Sequence, residues 1–176
     1  MVFLADELKK EDFFRKLSSN FKYLDENHIE MVVRLYKFTE SLSKAKEIHF
    51  QRWGLSEGRF MVLMSIWYKG EPIKATEIAQ DLGVTRATMT GLVDSLIRDE
   101  LLKKKDCALD RRVSYLDLSD KGKKLMQEIL PEHFQCVKEF SETLSCEESK
   151  AFLDALDKLQ RGLEKFLVNK KEEPAK

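Results

Sequence analysis

Gly83-Val84-Thr85-Arg86-Ala87-Thr88-Met89-Thr90-Gly91-Leu92-Val93-Asp94-Ser95-Leu96 reads as a tight turn feeding an amphipathic helix that runs to about Leu101. Thr85 carries the hydroxyl an N-cap needs. Met89, Leu92, Val93 and Leu96 fall at i, i+3, i+4 and i+7, which places them on one core stripe. The opposite side carries Ala87, Thr90, Gly91, Asp94 and Arg98, with Arg86 and Thr88 at the flanks near the start. Immediately upstream, residues 74–84 read as a shorter helix with Ile78, Ala79 and Leu82 inward and Gly83 as its stop.

Downstream the apolar period changes from 3.6 to two. Lys103–Cys107 and Val113–Leu118 read as paired strands around a tip at Ala108-Leu109-Asp110-Arg111-Arg112. Ser119-Asp120-Lys121-Gly122 caps a long helix towards Phe140, with a kink expected at Pro131. Upstream, Ser56 starts a helix whose buried face is Phe60, Leu63, Met64 and Trp67, ending at the turn Lys69-Gly70-Glu71-Pro72. From about His28 to Gln51, Met31, Leu35, Phe38, Leu42 and Ala45 recur at spacings of 4, 3, 4 and 3, and Gly54 closes that helix. Phe152, Leu156, Leu159, Leu163 and Phe166 repeat the pattern in a last helix from Glu147 to about Val168. The predicted fold is mainly α: a winged helix-turn-helix with a two-stranded β wing and N- and C-terminal dimerisation helices. Its expected divisions are an N-terminal arm or extra helix (1–27), long seam-bearing helices (28–54 and 123–168), the winged helix (55–122) and a flexible tail (169–176).

Composition narrows the function classes. With 176 residues and 43% hydrophobic content the chain can bury a real core, and 7 Gly with 3 Pro favour long helices. The longest apolar runs are short ones such as Phe60–Met64, far below the roughly 18 residues a span needs, so no membrane span is expected. Met1–Glu7 lacks a basic n-region and a full apolar h-region, so no signal peptide is read and the expected location is the cytoplasm. Three cysteines, Cys107, Cys136 and Cys146, do not make a disulfide framework. Basic and acidic residues balance at 31 each, so a nucleic-acid partner must be argued from local pattern.

Local pattern supports one. A helix entering the major groove must show small and polar side chains at its first turns. Thr85, Arg86, Ala87, Thr88, Thr90 and Gly91 supply hydroxyls, one guanidinium and room for close approach. The hairpin tip can place Arg111 and Arg112 in the minor groove, with Asp110 orienting Arg112 through a bidentate pair. Residues 74–124 hold 11 basic and 9 acidic side chains, but Arg98, Lys103, Lys104, Lys105, Arg111 and Arg112 bunch on the helix end and wing. Read without DNA, the same residues make a solvated helix face and an ordinary polar hairpin turn, and a winged helix that binds protein stays open as an alternative.

The stretch 83–96 followed by Asp110-Arg111-Arg112-Val113-Ser114-Tyr115-Leu116-Asp117-Leu118-Ser119-Asp120-Lys121-Gly122 resembles the MarR family of bacterial transcription regulators. The signature D-R-R-x3-L-x-L-[TS]-x2-G carries the likeness, which covers about residues 28–168. Leu130–Cys136 and the extended N-terminus resemble the multidrug-efflux repressor branch. The resemblance implies a homodimer, built by the N- and C-terminal dimerisation helices (28–54 and 123–168), on a pseudo-palindromic double-stranded operator read by the DNA-binding domain 55–122, most simply a repressor, released by a small aromatic or lipophilic effector. By position it also points to Arg34, Arg59, Phe60 and Met64 as effector contacts, although such residues are also ordinary core. The chain departs from the family at Glu100, where a glycine is common: either a left-handed cap costs about 1 kcal/mol there, or the helix ends differently. Gly91 stands where some members place a polar side chain to read a base.

A cysteine-based redox regulator is a further alternative, but the first long helix has no cysteine. His133 and Cys136, at i and i+3, lack a second ligand pair, so no metal or other cofactor is expected. Nucleophile-elbow, P-loop and zinc-hydrolase motifs are missing from the sequence, so no catalytic residues are assigned and no enzyme activity is expected.

Overall fold

The computed structural model describes residues 21, 25–106 and 114–172. Residues 1–20 and 22–24 of the expected arm, Cys107, the wing tip Asp110-Arg111-Arg112, and 173–176 of the tail lie outside the described residues. The chain divides into two units, Met1–Lys123 and Lys124–Lys176.

In the first unit, α1 (Glu26–Gln51) begins at Asp25, whose carboxylate accepts from the Asn27 N–H at 2.8 Å. Gly54 ends it with φ +65°, and the Leu55 N–H returns to the Phe50 carbonyl at 3.1 Å. α2 (Glu57–Lys69) is capped by the Ser56 hydroxyl, which accepts from the Arg59 N–H. β1 (Ile73–Lys74) leads into α3 (Ala75–Asp81), and α4 (Arg86–Arg98) follows, capped by Thr85. β2 (Leu102–Asp106) and β3 (Ser114–Leu118) form the wing. The sheet has three antiparallel strands in the order β1-β3-β2, with Ile73 opposite Leu116 and Leu102 opposite Leu118. β1 is a strand that the two-stranded expectation did not contain.

The core of this unit is apolar throughout. Phe50, Leu55, Phe60, Leu63, Ile66, Ile78, Met89, Val93 and Leu96 are buried, as are Leu102, Leu116 and Leu118 on one face of the sheet. Three of the four residues on the α4 stripe are thus buried, and Leu92 is half-buried. α3 and α4 meet through the Gly83 turn. Gly83, at φ +64°, donates to the Gln80 carbonyl, and the Val84 N–H reaches Ala79 at 3.0 Å.

α4 ends in the same motif with a different residue. Glu100 takes φ +62°, its N–H bonds Ile97, and the Leu101 N–H bonds Leu96 at 2.9 Å. The left-handed cap therefore forms without glycine, at a cost of about 1 kcal/mol. Its carboxylate lies 3.6 Å from the Lys121 ammonium, an exposed pair that offsets little of that cost. Glu100→Gly is accordingly expected to stabilise the fold by about 0.5–1 kcal/mol, after the extra unfolded-state freedom of glycine is counted. A thermal melt should show a rise of about 2 °C; a fall would mean the carboxylate contributes more than the strain removes.

α5 (Asp120–Ser141) starts in the first unit and continues through the second, with Pro131 inside it. The Ser119 hydroxyl caps it, accepting from the Gly122 N–H at 2.9 Å. α6 (Cys146–Glu172) opens with a reciprocal cap: Ser145 N–H to the Glu148 carboxylate at 2.8 Å, and Glu148 N–H to the Ser145 hydroxyl at 3.2 Å. Hydrogen bonds to the carboxylate from the Ser145 N–H and, next, from the Ser145 hydroxyl hold the Glu148 carboxyl below its ordinary value. Among the described residues, no helix is long and apolar enough to cross a membrane.

Candidate nucleic-acid interface

The first turns of α4 present a small, polar and open surface. Thr85, Arg86, Ala87, Thr88, Thr90 and Gly91 are all exposed. The Thr85 hydroxyl caps the helix by accepting from the Thr88 N–H at 3.1 Å, and the Thr85 and Thr88 hydroxyls lie 2.8 Å apart. Thr90 donates its hydroxyl to the Arg86 carbonyl at 2.9 Å. Each hydroxyl oxygen keeps acceptor capacity beyond these bonds. Nothing stands within 4 Å of where a Cβ on Gly91 would be, so its bareness serves no packing need of the chain. No acidic side chain occupies the first turn of α4, so the unpaired N–H groups at its start meet no competing carboxylate.

The last turn of α4 is gripped by neighbouring elements. Arg59 on α2 pairs with the Asp99 carboxylate and donates its second arm to the Gly54 carbonyl at 3.2 Å. Lys121 donates to the Asp99 carbonyl at 2.8 Å, and the Ser119 hydroxyl to the Glu100 carbonyl at 2.5 Å. The Ser119 N–H completes the set at the Leu101 carbonyl, 3.1 Å away. Sequence reasoning missed this cluster; the only local signal was the Ser119 cap beside the irregular Asp99-Glu100.

On the wing, the face opposite the core carries Lys103, Lys105, Tyr115 and Asp117, and Lys74 of β1 lies 5.7 Å over the Tyr115 ring. Asp117 is 2.7 Å from Lys105 and 4.0 Å from Lys103. Burial pushes the Asp117 carboxyl up, but the hydrogen bond and charge of Lys105, backed by Lys103 and Lys123, outweigh it and hold the group below its ordinary value. A carboxyl lowered on folding adds stability above its unfolded pKa and loses it as pH falls through the folded one. Asp117→Asn is therefore expected to melt below the parent at neutral pH, with the gap shrinking as pH drops below about 4. A gap constant down to about pH 2 would remove the ionised carboxylate from this account.

The four residues expected around an effector are not alike. Arg34 is exposed and tied to Glu30 on its own helix at 2.5 Å. Phe60 is buried and stacked on Phe50, ring centroids 4.5 Å apart. Met64 is half-buried, and Arg59 has the two partners already described. Of the thiols, Cys136 and Cys146 are exposed. Among the described residues, no group of three or more His, Cys, Asp or Glu side chains is placed to hold a metal ion.

Comparison with known proteins agrees with this architecture. Residues 55–114 match the model of the MarR family. The HTH-type transcriptional repressor YetL of Bacillus subtilis is 30% identical over 160 residues, covering 90% of this chain and 96% of that protein. The fold is shared with AbsC, a MarR family transcriptional regulator from Streptomyces coelicolor, at a TM-score of 0.72 and 18% identity over 81% of this chain and 97% of AbsC. It is also shared with S. aureus MepR in a DNA complex, at 0.66 and 17% over 74% and 96%. The turn, the capped α4, the three-stranded wing sheet and a relative of this similarity along nearly its whole length converge: the chain belongs to the MarR family of transcriptional regulators.

Proposed function

We propose that this regulator is a homodimeric repressor that binds a pseudo-palindromic operator and leaves it when a small aromatic or lipophilic effector binds. The observation that carries the DNA reading is the open start of α4, with Thr85, Arg86, Ala87, Thr88, Thr90 and Gly91 exposed and no acidic side chain in its first turn. In this reading they meet the major groove, and Asp110, Arg111 and Arg112 at the wing tip meet the minor groove. YetL, the relative at 30% identity, is a repressor, which favours that sign of regulation here.

Dimerisation is supported by apolar surface. On α1, Met31, Leu35 and Leu42 are exposed, and on α6 so are Phe152, Leu159, Leu163 and Phe166. A single chain gains nothing from leaving such seams in water. Pairing across a two-fold axis would bury them and set two α4 helices about 34 Å apart, one turn of DNA. The divisions 28–54 and 123–168 as dimerisation helices and 55–122 as the reading head belong to this proposal.

The test is fluorescence anisotropy with DNA from upstream of the protein's own gene, at two salt concentrations and against excess random duplex. Tight binding that survives the competitor and weakens steeply with salt is expected. Equal, weak binding to both duplexes would favour a winged helix turned to protein partners. Release by peroxide and recovery with a reductant would favour a thiol switch at the exposed Cys136 or Cys146 over a small-molecule effector.

A further inference from the structure

We propose that Arg59 is a positioning residue for DNA reading: it ties the far end of α4 to the α1–α2 corner and so sets the angle at which the first turn of α4 meets the groove. This rests on the DNA reading above and adds a residue that touches no DNA.

The argument is one of leverage. α4 has 13 residues and is therefore about 20 Å long. A tilt of about 5° about its last turn moves its first turn by about 1.7 Å. The usable range of a hydrogen-bond length is about 0.5 Å, so such a tilt abolishes base contacts while the helix itself stays intact. Apolar packing of Met89, Val93 and Leu96 seats α4 against the core and sets its coarse crossing angle, while directional polar ties at its far end restrain the remaining tilt.

Those ties come from two places. Ser119 and Lys121 hold the carbonyls of Asp99, Glu100 and Leu101, all from the start of α5. One anchor leaves rotation about it. Arg59 is the second anchor and comes from a different helix, 40 residues away in sequence from its partner Asp99. Its side chain is only 15% exposed, so water competes weakly for it. Its planar fork spans the Gly54 carbonyl and the Asp99 carboxylate at a fixed angle. An ammonium cannot do this, because it is a point charge with freely turning donors.

The experiment measures operator and random-duplex affinities, their salt slopes and melting temperatures for Arg59→Lys, Arg59→Gln, Asp99→Asn and the Arg59→Gln/Asp99→Asn double variant. Glu57→Gln is the control: it breaks the Lys46–Glu57 pair, which ties α1 to α2 without touching α4. Each single variant is expected to lose about tenfold in operator affinity, the loss of roughly one base contact, with random-duplex affinity and salt slope unchanged. The double variant should be no worse than either single one, because both remove the same tie. Glu57→Gln should keep the parent's operator preference.

Parallel losses on operator and random duplex would overturn the proposal, since mere loss of folded protein gives that pattern. So would an unchanged operator affinity in Asp99→Asn, which decides the matter if the Arg59 variants fail to fold. A parent protein without operator preference would instead overturn the DNA reading, and this inference with it.

Discussion

Alanine at position 122 is expected to destabilise the fold by about 3 kcal/mol, the upper range for overpacking, and to lower the melting temperature by about 6–12 °C. A Cβ on Gly122 would lie 2.1 Å from the Leu101 carbonyl oxygen and 3.1 Å from its carbon. Both partners are backbone, so no rotamer change relieves the overlap. Nor is the carbonyl able to swing aside cheaply: it accepts from the Ser119 N–H, and Leu101 itself is buried. Leu101 is also the residue after the left-handed Glu100 and the one before β2, so a shift there moves the end of α4 and the root of the wing together. Operator affinity should fall along with stability. Circular dichroism melts of Gly122→Ala beside the parent check this; a loss below about 0.5 kcal/mol would mean the close approach is relaxed in solution. The contact also gives a physical reason for the glycine that ends the D-R-R-x3-L-x-L-[TS]-x2-G signature. It is required by the approach of α5 to β2, and its backbone is ordinary helix.

Much of this was legible because it is local. The stripe Met89, Val93, Leu96 has helical spacing, and Ser56, Thr85 and Ser119 stand where cap hydroxyls are needed, so α2, α4 and α5 could be placed from residue types a few positions apart. Glycines at 54 and 83 marked their turns for the same reason. What failed to show is long-range or too short to have a period. β1 is two residues, Ile73 and Lys74, and two residues cannot display alternation; pairing with Leu116 and Tyr115 makes it a strand. Glu100 carries no side-chain mark of a left-handed backbone, so its place after α4 allows either ending, and the two return bonds to Leu96 and Ile97 decide it. The tie from Arg59 to Asp99 spans 40 residues, and nothing near Arg59 in sequence announces it. The exposed residues of the candidate site were readable as a helix face; the polar ties that orient that face were not.

The apolar seams carry the other large effect. If the chain pairs as proposed, Leu163→Glu is expected to convert that dimer to monomer at micromolar concentration and to remove tight operator binding. On α6, Phe152, Leu159, Leu163 and Phe166 fall on one side of the helix, and Leu163 is 53% exposed in the single chain. Glutamate has nearly the helix propensity of leucine, so α6 itself is spared. What it cannot do is enter a dry interface without a partner. Two-fold symmetry inserts the carboxylate twice, and a combined cost of about 3 kcal/mol or more raises the dimer dissociation constant at least about a hundredfold. Operator affinity follows, because a monomer engages one half-site where the dimer engages two at a high effective concentration. The same glutamate at Arg161, on the opposite side of α6, should leave both the dimer and its operator affinity in place. Sedimentation velocity and operator titration on the two variants decide it. A Leu163→Glu protein that sediments as a dimer and binds like its parent would take α6 out of the interface and leave the α1 seam to account for any pairing.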